Sequence, residues 1–210
     1  MQVSLQEASV VSARIYALIL TSPRLATLLL PEGLLTSPYE ILDYDALLIL
    51  HDPYGVQATF RRTQRIRFLQ TGVGAILDHA WGDGVQLTTY DHDAGSVTDL
   101  LRDRGRRHLV ITLKRPAARG ETLTFGVART AIDAFTEDEE WLETTIDPPI
   151  RQLRRAIVFP KVRPCLGAVL HAGAEQIPLP VIHQNDGTTL VRFEVTPPDT
   201  DTAYTIHWSW

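Results

Sequence analysis

The chain has 210 residues, 44% hydrophobic and 21% charged, with a formal net charge of −5. This is ordinary globular usage, which excludes a largely disordered chain, and the acidic balance argues against wholesale nucleic-acid binding. Cys165 is the only cysteine, so an intramolecular disulfide and any zinc site built from several thiolates are excluded.

Two short helices are expected first. Ser4-Leu5-Gln6-Glu7 fits a capping box, and Leu5, Val11, Ile15, Leu18 and Ile19 follow at helical spacing. Ser22 and Pro23 then suit the N-cap and first position of a second helix, with Leu25, Leu28 and Leu29 as its apolar stripe and Pro31-Glu32-Gly33 as its end. Arg14, Pro23 and Arg24 interrupt the apolar stretch over residues 10–30, so it falls short of the roughly 20 residues a membrane span needs. The positively charged start of a secretory signal is also missing, and a reducing, cytoplasmic setting is expected.

From about Tyr39 the texture changes to strands. Ala46-Leu47-Leu48-Ile49-Leu50 is a continuous apolar run, and Asp52-Pro53-Tyr54-Gly55 places Pro and Gly where a type I turn wants them. A long return strand over residues 56–69 completes a hairpin. Gly72 and Gly74 lead into a short strand through Ile76 and Leu77, and Trp81-Gly82-Asp83-Gly84 reads as a reversal. The polar stretch 91–107 is expected to be a long loop, with a short helix over 97–104. Residues 109–113 and 123–127 read as a second hairpin, and further strands are expected up to Pro148-Pro149, at 156–159, at 166–170 and at 190–195. Pro178 and Pro180 confine 177–182 to an edge. The last strand, 204–210, puts Tyr204, Ile206, Trp208 and Trp210 on one face, which marks the C-terminus as part of a core.

About ten short strands without alternating helices imply a mainly β fold. The expected form is an antiparallel β-sandwich, jelly-roll or immunoglobulin-like, over residues 37–210, with a helical appendage over 1–36 and an optional subdivision near 147–149.

Three groups of side chains offer chemistry. Asp78, His79, Asp83, Asp91, His92 and Asp93 are the densest set of metal-ligand types, and their convergence would make a metal-dependent hydrolase. Against this, Asp78 and His79 point to opposite faces of a strand, aspartates beside glycine are ordinary turn formers, and no HxH or HExxH spacing occurs. Arg61, Arg65 and Arg67 share one strand face and would suit an anion or nucleic acid, unless carboxylates of a neighbouring strand pair with them. Cys165 and His171 lie about 20 Å apart along a strand, too far for a catalytic dyad. No GxSxG, P-loop or dinucleotide fingerprint is present. The preferred reading is a non-catalytic binding or regulatory module in a bacterial-type cytoplasmic assembly, without cofactor. It would meet a protein partner through its N-terminal helices or an open strand edge, with nucleic acid disfavoured.

Overall fold

The computed structural model describes residues 38–80, 89–103, 106–146 and 150–210. Both expected N-terminal helices and the reversal at Trp81-Gly82-Asp83-Gly84 lie outside these residues. Among the described residues the regular elements are strands. They are β1 (Tyr39–Leu50), β2 (Gln57–Phe68), β3 (Val73–Ala80), β4 (Thr89–His92), β5 (Gly95–Asp103), β6 (Arg106–Ala117) and β7 (Thr122–Ile132), followed by β8 (Glu139–Thr145), β9 (Ile150–Phe159), β10 (Gly167–Ala172), β11 (Glu175–Leu179), β12 (Ile182–His183), β13 (Thr189–Val195) and β14 (Ala203–Ser209). They form a seven-stranded sheet in the order β12-β13-β9-β1-β2-β7-β4, a four-stranded sheet β11-β10-β14-β8 and a three-stranded sheet β3-β6-β5. The fold is therefore mainly β.

The β1–β2 connection forms because Asp52 organises it. Its Oδ1 accepts from the backbone N–H of Tyr54 at 2.8 Å and Val56 at 3.2 Å, and its Oδ2 from that of Gln57 at 2.7 Å. Slight burial tends to raise the Asp52 pKa, but the backbone donors of Gln57, Tyr54, Val56 and Gly55 together hold it below the usual carboxylate value. A depressed folded pKa contributes stability that is present above the unfolded value and lost as pH falls through the folded one. Asp52→Ala should therefore lower stability by about 1 kcal/mol at neutral pH. It should also flatten the fall in melting temperature below about pH 4, which melts across an acid series would detect.

Beyond the turn, β2 alternates strictly, with Ala58, Phe60, Arg62, Gln64, Ile66 and Phe68 buried and Arg61, Thr63 and Arg65 exposed. Period-two patterning assigns the faces here, as it does for β14, where Tyr204, Ile206 and Trp208 are buried.

Three expectations are corrected. The seven-stranded sheet is not wholly antiparallel: β1 pairs with β9 in parallel, from Ile41 opposite Ile150 to Ile49 opposite Val158. Parallel neighbours need a long crossover, which the 99 residues between these strands supply. The stretch 91–107 is not a loop with a helix. Most of it is β5, paired antiparallel with β6 and bulged between Val97 and Asp99; Gly95 allows the approach, since a Cβ there would lie 1.9 Å from the Thr112 carbonyl oxygen. The strands either side of the turn at Arg119 and Gly120 are not a hairpin either, because β6 belongs to the three-stranded sheet and β7 to the seven-stranded one. The edge position expected from Pro178 matches β11, which ends its sheet.

Two compact units emerge. One is built on the segments Ile66–Asp83 and His92–Thr124 and carries the three-stranded sheet. The other, built on Ile41–Arg65 and Phe125–Trp210, carries the four-stranded sheet and most of the seven-stranded one. Its core lies where side chains of those two sheets meet. Phe159 of β9 stands edge-on to Trp208 and Trp210, at 5.9 and 6.0 Å between ring centroids, and Phe193 of β13 stacks on Tyr204 at 6.1 Å. Trp210 also donates its indole N–H to the Glu137 carbonyl at 2.9 Å.

Candidate functional site

Arg61, Arg65 and Arg67 do share the outward face of β2. Arg65 pairs with Asp43 at 2.6 Å, and Arg67 pairs with Glu40, both partners lying on the adjacent strand β1. Farther across the same face, Arg154 of β9 reaches Glu194 of β13 at 3.3 Å and Asp45 of β1 at 3.9 Å. The face is an interleaved array of both signs, and among the described residues Arg61 takes part in none of these ion pairs.

The metal-ligand types are spread over separate elements. Asp78 and His79 sit on β3, opposite Leu109 and His108 of β6. Asp91 and His92 end β4, at the edge of the seven-stranded sheet, and Asp93 follows them. Asp83 lies outside the described residues. Cys165 is buried, donates its thiol to the Gly167 carbonyl at 3.4 Å, and is pushed up to about 11 by burial. It is therefore a thiol at neutral pH, as a small core side chain would be.

Two other features were not singled out from the sequence. The first is the outer face of the four-stranded sheet. Pairing register lines up Trp141 of β8, His207 of β14, Val169 of β10 and Pro178 of β11 in one row. Glu143, Thr205, His171 and Gln176 form the next. Trp141 is 51% exposed on a strand that ends the sheet. Its neighbour His207 has its imidazole 4.5 Å from that of His171. Burial first, and the nearby His171 second, hold His207 below the usual histidine value.

The second feature is a group of guanidinium side chains on the inner face of the seven-stranded sheet. Arg155 of β9 is only 3% exposed and donates through Nη2 to the Glu143 carbonyl of β8 at 3.1 Å. Its guanidinium lies 5.3 Å from the Phe60 ring and 5.9 Å from that of Tyr44. Arg129 of β7 covers Phe60 at 4.4 Å, and Arg62 of β2 stands 5.6 Å from Tyr44 and 5.9 Å from Phe125. Burial pushes the Arg155 pKa down, and the charges of Arg129 and Arg62 add to this, partly opposed by Tyr44. The alternation of β2 places Arg62 on the inner face; the convergence with Arg129 and Arg155 depends on strand order and was not legible.

No protein-family model matches the sequence, and no curated protein matches it. Among solved structures the chain is similar to an M1 zinc metallopeptidase from Deinococcus radiodurans, with a TM-score of 0.50 and 13% identity, over 80% of this chain and 42% of that one. It is also similar to a mutant of that enzyme bound to a Tyr-Ser-Ala substrate, with a TM-score of 0.51, 12% identity and coverages of 80% and 42%. A candidate protease from Parabacteroides distasonis gives a TM-score of 0.54 at 9% identity, over 83% of this chain and 41% of that one. At these identities the likeness is one of fold. The chain spans less than half the length of each of these proteins.

Proposed function

We propose that this chain is a non-catalytic recognition module with a β-sandwich body, binding an extended protein segment at the outer face and edge of its four-stranded sheet. The half-exposed Trp141 carries this reading. A large aromatic side chain on an edge strand supplies an anchor for a partner, and the outer side of that same strand, β8, supplies backbone groups for an added strand. Val169 and Pro178 extend its row as apolar surface, while Glu143, Thr205 and Gln176 offer polar contacts at the next. The fold shared with proteins named as peptidases supports a peptide-like partner by analogy. The buried Cys165 is compatible with a reducing, cytoplasmic location.

A second reading is favoured by the same likeness: the chain is the β portion of a peptidase-type enzyme. The sequence has no HExxH motif, so zinc chemistry within this chain would fall to Asp78, Asp83, Asp91, His92 and Asp93. Peptide display against the immobilised chain, paired with a zinc-supplemented aminopeptidase assay, separates the two. The module predicts selected peptides whose affinity drops at least about tenfold in Trp141→Ser, roughly the 1.4 kcal/mol or more that an aromatic anchor provides. The melting temperature should hardly move, since the side chain is half in solvent. Chelator-sensitive hydrolysis by the purified chain would favour the enzyme instead.

A further inference from the structure

We infer that His171 and His207 form a binding site for one divalent transition-metal ion on the outer face of the four-stranded sheet. The site shares a face with the recognition surface but does not depend on a peptide binding there. The two residues lie on neighbouring strands, β10 and β14, and each of these strands is paired on both sides. Their backbones are therefore held by the sheet rather than by a loop, as a preorganised site requires. Register sets Val169 opposite His207 and His171 opposite Thr205, so the histidines are diagonal neighbours on one face. Diagonal positions are within reach of aromatic side chains, and the two imidazole centroids stand 4.5 Å apart.

That spacing is the one a shared ion would impose. A metal about 2.0–2.1 Å from an imidazole nitrogen lies roughly 3.2 Å from the ring centroid, and two such rings at about 90° put their centroids about 4.5 Å apart. The right angle belongs to the tetragonal sites of copper(II) and nickel(II), whereas a tetrahedral zinc site would open the pair to roughly 5.2 Å. The ring planes are inclined at 52° rather than stacked. The last histidine torsion is broad, so both rings can turn a nitrogen toward a common ion at small cost. His207 is exposed and His171 partly so, and an ion reaches them directly from solvent. Glu143, in the row of His171, and Glu139, on the same face of β8, add negative charge nearby. Among the described residues no set of three or more histidine, cysteine or carboxylate side chains gathers as a ligand shell. The ion therefore keeps water in its other positions, which makes this an open, exchangeable site rather than a closed structural one.

The test uses the whole chain, free of any histidine tag and stripped with chelator, titrated by calorimetry with copper(II), nickel(II), zinc(II) or magnesium. One ion per chain should bind, copper most tightly, then nickel or zinc, and magnesium not at all. The electron paramagnetic resonance spectrum of the copper-loaded chain should show splitting by two nitrogens. His171→Gln and His207→Gln should each melt within about 2 °C of the parent in chelator, because both side chains meet solvent. Each should weaken copper and nickel at least about tenfold, and the double variant should lose the site. His183→Gln, on β12, should bind as the parent does. Should a variant fail to fold, the copper spectrum of the parent carries the test, since fewer than two coordinated nitrogens contradicts the pair. The inference is overturned if the parent takes up neither copper nor nickel saturably. It is equally overturned if both single variants bind like the parent, which would move the ion elsewhere, for instance to His79 opposite His108 on β3 and β6. The titrations contain no peptide, so their failure leaves the recognition reading standing.

Discussion

Deleting Trp208, Ser209 and Trp210 is expected to leave the protein insoluble or without fixed tertiary packing. Trp208 and Trp210 are 3% and 6% exposed, and Phe159 packs against both. Phe135 lies against Trp208 at 5.8 Å, and Arg163 covers Trp210 at 4.1 Å. The deletion also removes backbone bonds, among them Leu166 N–H to the Ser209 carbonyl at 2.8 Å. Truncating one buried Trp costs about 3–5 kcal/mol, against a total stability of roughly 5–15. Two such losses and a shortened strand exceed what most domains of this size can absorb. Near-ultraviolet circular dichroism and a thermal melt would show it; an unchanged cooperative melt would contradict the role given to this strand.

Gly55→Ala should be strongly destabilising. The residue has φ +69, where a side chain is strained, and a Cβ would lie 1.4 Å from the Phe135 carbonyl oxygen. Phe135 is tied to this turn by its own N–H to the Gly55 carbonyl at 3.3 Å, with Asp133 N–H to the Val56 carbonyl at 2.7 Å beside it. Relief of the clash therefore displaces a segment whose aromatic ring packs on Trp208. The strain and the shift together should cost more than about 3 kcal/mol, or at least 6–12 °C in melting temperature. Gly72→Ala is the control. It has φ +84 but nothing within 4 Å of a new Cβ, so only the backbone strain of about 1–2 kcal/mol should appear. Equal losses in the two variants would refute the close approach at Gly55.

Local pattern and turn chemistry made the first hairpin and the last strand legible, because alternation in β2 and β14 and the Asp52-Pro53-Tyr54-Gly55 turn are encoded by neighbouring residues. The errors arose where distant partners decide. In Ser96-Val97-Thr98-Asp99-Leu100-Leu101, the spacing of Val97, Leu100 and Leu101 suits a helical turn, yet pairing with β6 makes the segment a bulged strand. Consecutive strands usually pair, which is why β6 and β7 read as a hairpin although the chain passes from one sheet to another. Trp141 and the inward arginines had the same difficulty. A sequence shows that Arg155 is two residues from Leu153 and Ile157, but not which strands enclose it.

The parallel contact between β1 and β9 also has a kinetic consequence. Ile41 meets Ile150 and Ile49 meets Val158, so a central strand of the largest sheet acquires one neighbour only after about a hundred further residues have been added. During synthesis at roughly 5–20 residues per second, β1 stands for several seconds with that side uncovered, apart from whatever β2 provides on the other. Closing so long a loop before any contact rewards it places this protein among slow folders. The period before β9 emerges is then the window in which the apolar run Ala46-Leu47-Leu48-Ile49-Leu50 is most open to capture by another nascent chain, or by a chaperone.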